Sequence, residues 1–409
     1  MRYFLCVMLA LAMHPAWGRE AVVGMSEKVF KAIGEAQLLI DSGAYPEARI
    51  KLDKLLERSR LSSYERAHTL NLIGYTWYEQ DKLGKARQSY VQALAEPRLP
   101  DSMQTNLLLT LGQVCLADED YQTAESYLRR LMEIRGQDTP ANKILLASAL
   151  MGQGRYSEAL RPLESALRVS LAKAEKPRES LLSMLASVHY EMKQFEEMRD
   201  IVSLLVEHYP REQYLMNLAA LHGQLGDVPR QLALVESLLD DGRLQKQNHL
   251  TLLANLFLAE GRPHKAAVLL EMHMGTGTIE ATVANLELLS QAWYNAADPV
   301  KALPPLEQAA ELSDDGDLYL RVARLHMDAY DWSAAEKAAR AALDKGGLRQ
   351  EGQAWLVRGM AKARLEQFND AQTLLERAAE FDDVSRYAEQ WLAWMTTERE
   401  RREALGQPT

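Results

Sequence analysis

The sequence predicts an all-α solenoid of about ten helix-turn-helix repeats closed by a C-terminal capping helix. Three observations predict it. An alanine recurs as an anchor at intervals of 33 to 39 residues, through Ala48, Ala86, Ala124, Ala159, Ala266, Ala302, Ala335 and Ala371, with Met198 and Gln231 in the two intervening copies. Twelve residues before each anchor stands a small residue: Ala36, Gly74, Gly112, Ala147, Ala186, Ala219, Ala254, Ser290, Ala323 and Gly359. Two antiparallel helices approach closely only where facing side chains are small. The composition agrees: 47% of the 409 residues are hydrophobic, Ala and Leu dominate, and only 14 are Pro and 22 Gly, so strong helix formers run through the whole chain. No low-complexity tract or long linker interrupts it. One elongated repeat domain over 26–383 follows, with a capping helix and tail over 384–409.

The first eighteen residues differ from the rest. Arg2 supplies a positive start, Tyr3 to Met13 is apolar, and Ala16-Trp17-Gly18 offers small residues at both positions a signal peptidase reads. Residues 1–18 read as a secretory signal peptide cleaved after Gly18, which places the mature protein in the periplasm. The apolar run is too short to span a bilayer, which needs about 20 residues. Cys6 does not make a lipoprotein site, because Tyr3-Phe4-Leu5 precedes it without the required small residue. Cleavage leaves Cys115 as the one cysteine, so an intramolecular disulfide is excluded. Residues 19–25 are expected to be disordered. No second hydrophobic span follows the leader.

Along the repeats, the residue three before the anchor is apolar in most copies (Tyr45, Leu83, Tyr121, Tyr156, Phe195, Trp332, Phe368) and is expected to pack into the turn. Gly43, Gly154, Gly226 and Gly261 stand where a left-handed residue ends a first helix. Ser26 is placed to cap the first helix, with Glu27 near its positive end. Tyr209-Pro210 ends the fifth repeat, since proline cannot continue a helix. The middle copies are weakest: Gln231 replaces an anchor, and His273 occupies a usually small position. Pairing is expected to survive there with altered curvature. A last helix begins at Ser385, carries Tyr387, Trp391 and Trp394, and ends in the charged run Glu398–Glu403, as suits the exposed end of a solenoid.

Chemistry-bearing patterns are weak. A formal net charge of -10 leaves no broad basic footprint for nucleic acid. The nine histidines do not cluster; His189, His222 and His326 fall three residues after the small residue of a first helix and read as packing residues. Met272-His273-Met274 offers soft ligands for copper(I), but successive helical residues diverge and no partner ligand follows, so no metal and no cofactor are expected. Gly152-x-Gly154 and Gly275-x-Gly277 lack the full phosphate-cradling pattern and follow no strand. Neither a nucleophile elbow nor a zinc-protease or nucleotide-binding motif occurs, and no carboxylate pair is placed for acid-base work; the protein is expected not to be an enzyme. Cys115, at the register position of Trp77, reads as a buried structural thiol.

First-helix positions left over from packing line the expected binding groove: Asn71, Tyr75 and Tyr78 with His68, then Asn106, Gln113 and Tyr190, and later Asn248, Asn255, Gln291, Tyr294 and Arg324. Amides pair with the backbone of an extended peptide, and tyrosine adds contact area at small entropic cost.

The repeat Leu70, Ile73-Gly74, Trp77, Ala86, Tyr90, Ala93 resembles the tetratricopeptide repeat (TPR). That resemblance implies a right-handed superhelix with a concave peptide- or protein-binding surface. The Lys, Asn and Arg pattern with which some TPRs grip a C-terminal carboxylate is matched only by scattered Asn. Over Met25 to Trp394 the chain further resembles exported TPR proteins associated with TonB-ExbB-ExbD energy-transduction systems. The stretches that carry this likeness are Met25–Ile33, Tyr64-Glu-Arg-Ala67 leading to Gly74-Tyr75, Tyr209-Pro-Arg-Glu-Gln-Tyr214, Gly261–Ala267, Asn285–Leu289 with Trp293, and Glu311–Gly316; Leu215 departs from it, standing where Trp is expected. This second resemblance implies a periplasmic scaffold accessory to TonB-dependent uptake, with protein partners that include TonB-system components and no catalytic residues. An adaptor in another envelope assembly (secretion, pilus or polysaccharide export) shares the architecture. A metal-binding protein or enzyme hidden in the array is the remaining alternative.

Overall fold

The structure is a computed structural model, and it describes residues 24–57 and 60–405. The leader, most of the segment 19–25, and the last four residues of the expected tail lie outside the described residues. Met25, at the end of the segment expected to be disordered, packs against the core of the first hairpin.

The described residues form helices joined by turns, with no strand among them. The first unit, ending at Tyr209, holds five hairpins. They are α1 (Glu27–Asp41) with α2 (Tyr45–Leu56), α3 (Ser63–Tyr78) with α4 (Leu83–Leu94), α5 (Asp101–Ala117) with α6 (Tyr121–Glu133), α7 (Pro140–Gly152) with α8 (Tyr156–Ala172), and α9 (Glu179–Glu191) with α10 (Phe195–His208). The second unit begins at Pro210 and holds five more. They are α11 (Glu212–Gln224) with α12 (Val228–Asp240), α13 (Gln247–Ala259) with α14 (Pro263–Gly275), α15 (Val283–Asn295) with α16 (Pro299–Leu312), α17 (Asp317–Asp328) with α18 (Trp332–Lys345), and α19 (Glu351–Arg364) with α20 (Phe368–Ala379). The last helix, α21 (Ser385–Ala404), packs on α20 and α19. Within each unit every helix packs on the next, so the fold is a stack of helical hairpins, the repeat architecture predicted.

Every second helix opens three residues before its anchor. All eight alanine anchors are fully buried, as are most of the small residues opposite them. The glycines show why. A Cβ on Gly74 would lie 2.7 Å from the Tyr90 ring, and on Gly112 or Gly359 it would lie 2.8 Å from Leu128 or Leu375. In each case the intruding side chain comes from the second helix, sixteen residues on. Gln231 is accommodated by the reciprocal device: its side chain lies where a Cβ on Gly223 would be. A large anchor therefore meets a glycine on the facing helix, and the α11–α12 pair survives.

The turns obey one geometry. In all ten hairpins the residue five before the anchor has a left-handed backbone, with φ between 57° and 80°. The next N–H bonds back to the carbonyl five residues earlier at 2.7–3.0 Å, from Ala44 to Leu39 through Gln367 to Lys362. This is the Schellman closure of a helix. Four of the ten are the predicted glycines; the other six are Asp81, Glu119, Lys193, Ala297, Tyr330 and Glu366.

Ser26 does stand at the N-cap of α1, but its hydroxyl makes no capping bond. Both its N–H and its hydroxyl donate to Glu65 Oε1 on α3, at 2.8 Å each. The other oxygen of Glu65 accepts from the N–H and hydroxyl of Ser62 and completes a capping box. Burial opposes charge on Glu65, yet these four bonds hold its carboxyl at about 2. One carboxylate thus caps α3 and ties it to the start of α1.

Candidate partner-binding surface

First-helix positions eighteen and eleven residues before the anchor carry no buried side chain in any hairpin, whereas none of those fifteen before it is exposed. The face is therefore narrower than the register implied. Asn106, Asn248 and Gln291 are exposed on it, with Tyr75, Tyr190 and Tyr294 showing 38%, 58% and 49% of their surface. Asn71, Gln113 and Tyr78 are half-buried, and Tyr78 packs against the core of hairpins two and three. His68 stacks on Tyr64 with ring centroids 6.2 Å apart, and burial lowers its pKa; it is a packing residue rather than a groove residue. Two of the amides satisfy themselves locally: Asn255 donates to the Thr251 carbonyl at 2.8 Å, and Gln291 donates to Asn295 at 2.7 Å.

In the first unit this face is lined by residues the register assigned to turns. The aromatic opening one second helix meets the residue seven before the anchor of the following repeat. A Cβ on Gly152 would run into the Tyr121 ring. At the equivalent place in the first two hairpins, Glu79 lies near the phenols of Tyr45 and Tyr75; burial foremost, then Glu79, raises both, Tyr75 to about 12. The Tyr121 ring takes the place of a side chain at Gly152, and beside it lies an open hollow of about 380 Å³, lined by Tyr121, Ser148, Met151, Gly152, Tyr156 and Met184. Aromatic, thioether and hydroxyl groups converge on it without a charged side chain, which suits an apolar side chain of an extended peptide. The signal for it in the sequence was the glycine-for-side-chain exchange at Gly152 beside two turn tyrosines.

His189 and His222 are buried. The His189 ring is 2.9 Å from the Gln194 side chain, and the His222 ring is 3.4 Å from Asp227. Each partner is the N-cap of the following helix, so these histidines tie turns together. His326 is half-buried, 3.4 Å from Glu307. Among the described residues no group of three His, Cys, Asp or Glu is disposed to hold a metal ion. Neither nitrogen of His273 has a hydrogen-bond partner. Cys115 is fully buried and its thiol is pushed up by burial, against the lowering effect of Arg87. No helix among the described residues is long and apolar enough to cross a membrane.

No family model matches the chain, and no curated protein matches it. It is similar to solved repeat structures. A tetratricopeptide repeat protein from Parabacteroides merdae is 17% identical, with 65% of this chain and 99% of that chain covered at a TM-score of 0.40. The C-terminal part of a TPR repeat-containing protein from Cytophaga hutchinsonii is 14% identical, with 69% and 95% covered at 0.41. PilF of Pseudomonas aeruginosa is 16% identical, with 52% and 90% covered at 0.37.

Proposed function

We propose that this chain is a non-enzymatic TPR-type scaffold that binds an extended segment of a partner protein along the first-helix face of its hairpins. The observation that carries the reading is the hollow over Gly152, flanked by Tyr121 and Tyr156. It opens on a face from which Tyr75 and Tyr190 also project. Exposed tyrosines around an apolar recess supply contact area at low entropic cost.

The leader-like residues 1–18 and the resemblance of the stretches between Met25 and Trp394 extend the reading to the periplasm and to TonB-dependent energy transduction and uptake. The partner would then be a TonB-system component or a receptor that it energises. An in-cell crosslinking pull-down from the periplasm, with mass spectrometry of the captured proteins, tests this. Recovery of TonB, ExbD or a TonB-dependent receptor supports it. Recovery of secretion, pilus or polysaccharide-export proteins keeps the scaffold and removes the TonB assignment. Against the captured partner, Tyr75→Ala with Tyr190→Ala, both exposed on this face, is expected to weaken binding about tenfold or more while helicity is unchanged; unchanged affinity places the site elsewhere.

A further inference from the structure

The second unit carries an aromatic cluster built around one cation. Arg364, the last residue of α19, is exposed. Its guanidinium lies 5.6 Å from the ring centre of Trp332, which opens α18, and 5.2 and 5.6 Å from those of Trp391 and Trp394 on α21. The two α21 indoles meet edge to face at 5.3 Å, and Tyr330, 76% exposed, meets Trp332 in the same way at 5.4 Å. Two helices, α18 and α21, therefore meet Arg364 with three indole rings.

Cation–π contacts at these distances hold the guanidinium in place, but a ring face accepts none of its five N–H donors in a directed hydrogen bond. The Arg364 side chain makes no hydrogen bond or ion pair among the described residues. Other arginines of this unit behave otherwise: Arg402 pairs with Glu366 and Glu398, Arg358 with Glu336, and Arg349 with Asp317. Arg364 is thus a fixed positive charge in an apolar frame, left without an acceptor in a chain with 57 acidic and 47 basic residues.

The chemistry selects the ligand. Guanidinium and indole N–H groups only donate, so the ligand must supply acceptors, and a carboxylate matches the guanidinium fork in two parallel bonds. The indole frame offers contact to an apolar side chain beside the carboxylate. A neutral sugar needs an open ring face and mixed donors and acceptors, whereas three indoles here already contact the guanidinium. Nucleic acid is opposed by the chain's net negative charge. We propose that Arg364, Trp332, Trp391 and Trp394 form a docking site for an acidic segment of a partner protein in which an aromatic or aliphatic residue stands next to Asp or Glu. Trp, Tyr and Arg are the residues that dominate protein interfaces when clustered. The site is independent of the hollow in the first unit.

Fluorescence anisotropy with the full-length mature chain tests it. The probes are labelled decapeptides of alternating Asp-Phe, alternating Asn-Phe and alternating Asp-Ser. The Asp-Phe peptide is expected to bind about tenfold or more tighter than either control, with affinity falling as salt rises. Arg364→Met should bring Asp-Phe binding to the Asn-Phe level, and Arg364→Lys should fall between, since it keeps the charge but loses the fork. Trp394→Leu provides a second variant should Arg364→Met alter helicity, and it should weaken Asp-Phe binding while leaving Asp-Ser unchanged. Equal binding of Asp-Phe and Asn-Phe, binding unaffected by Arg364→Met, no binding of Asp-Phe, or selective binding of a dextran probe each overturns the proposal.

Discussion

At Gly74 the only room for the second helix is the room a side chain would occupy. Gly→Ala in a helix interior ordinarily gains about 1 kcal/mol from propensity. Here the new methyl would meet the Tyr90 ring at 2.7 Å, so Gly74→Ala is expected to lower the melting temperature, and Tyr90→Leu in the same chain to restore part of the loss; a double-mutant cycle by thermal unfolding checks it. Ala86, fully buried at the anchor, gives the matching case: Ala86→Leu overpacks the pair and should destabilise by about 1–3 kcal/mol. The turns predict the opposite sign. Lys193 and Ala297 hold φ of 57° and 58°, a conformation that penalises a Cβ. Lys193→Gly and Ala297→Gly should each stabilise by about 0.5–1 kcal/mol in chemical denaturation, after the entropic cost of glycine is deducted. The anchors and their small partners were legible because one side chain's volume decides each. The six non-glycine left-handed residues were not, because the Schellman bond imposes that backbone whatever residue stands there.

Between elements, Glu65 shows what periodicity leaves hidden. Ser62 and Glu65 are a local pair of the capping-box form, but the tie to Ser26 joins residues 39 apart and exists only once α1 lies on α3. With its folded pKa held at about 2 against an ordinary 4.5, Glu65 contributes stability that is fully present above pH 4.5. That contribution is lost as pH falls toward 2. The first hairpin should therefore loosen in acid before the rest, seen as early loss of hydrogen-exchange protection in α1. Glu65→Gln should cost about 1.5–3 kcal/mol at pH 7 and remove much of that pH dependence. Packing between first helices likewise narrowed the groove read from the register. Residues fifteen before the anchor are buried or half-buried, and Ile33 and Leu320 are buried against the neighbouring first helix, which spacing within one repeat does not reveal.

For the molecule as a whole, the chain is two stacks of hairpins, each with overlapping apolar clusters rather than one central core. Each stack presents a first-helix face whose chemistry varies from repeat to repeat, and in the first unit the hollow beside Gly152 is where a partner is proposed to dock. Position-specific photocrosslinking in cells tests that most directly. A benzophenone amino acid would replace Ser148, which lines the hollow, and in parallel Glu164, exposed on the second helix of the same hairpin. A discrete adduct is expected from position 148, one partner protein by mass spectrometry, and none from position 164. Adducts of equal yield from both positions, or from 164 alone, would contradict it.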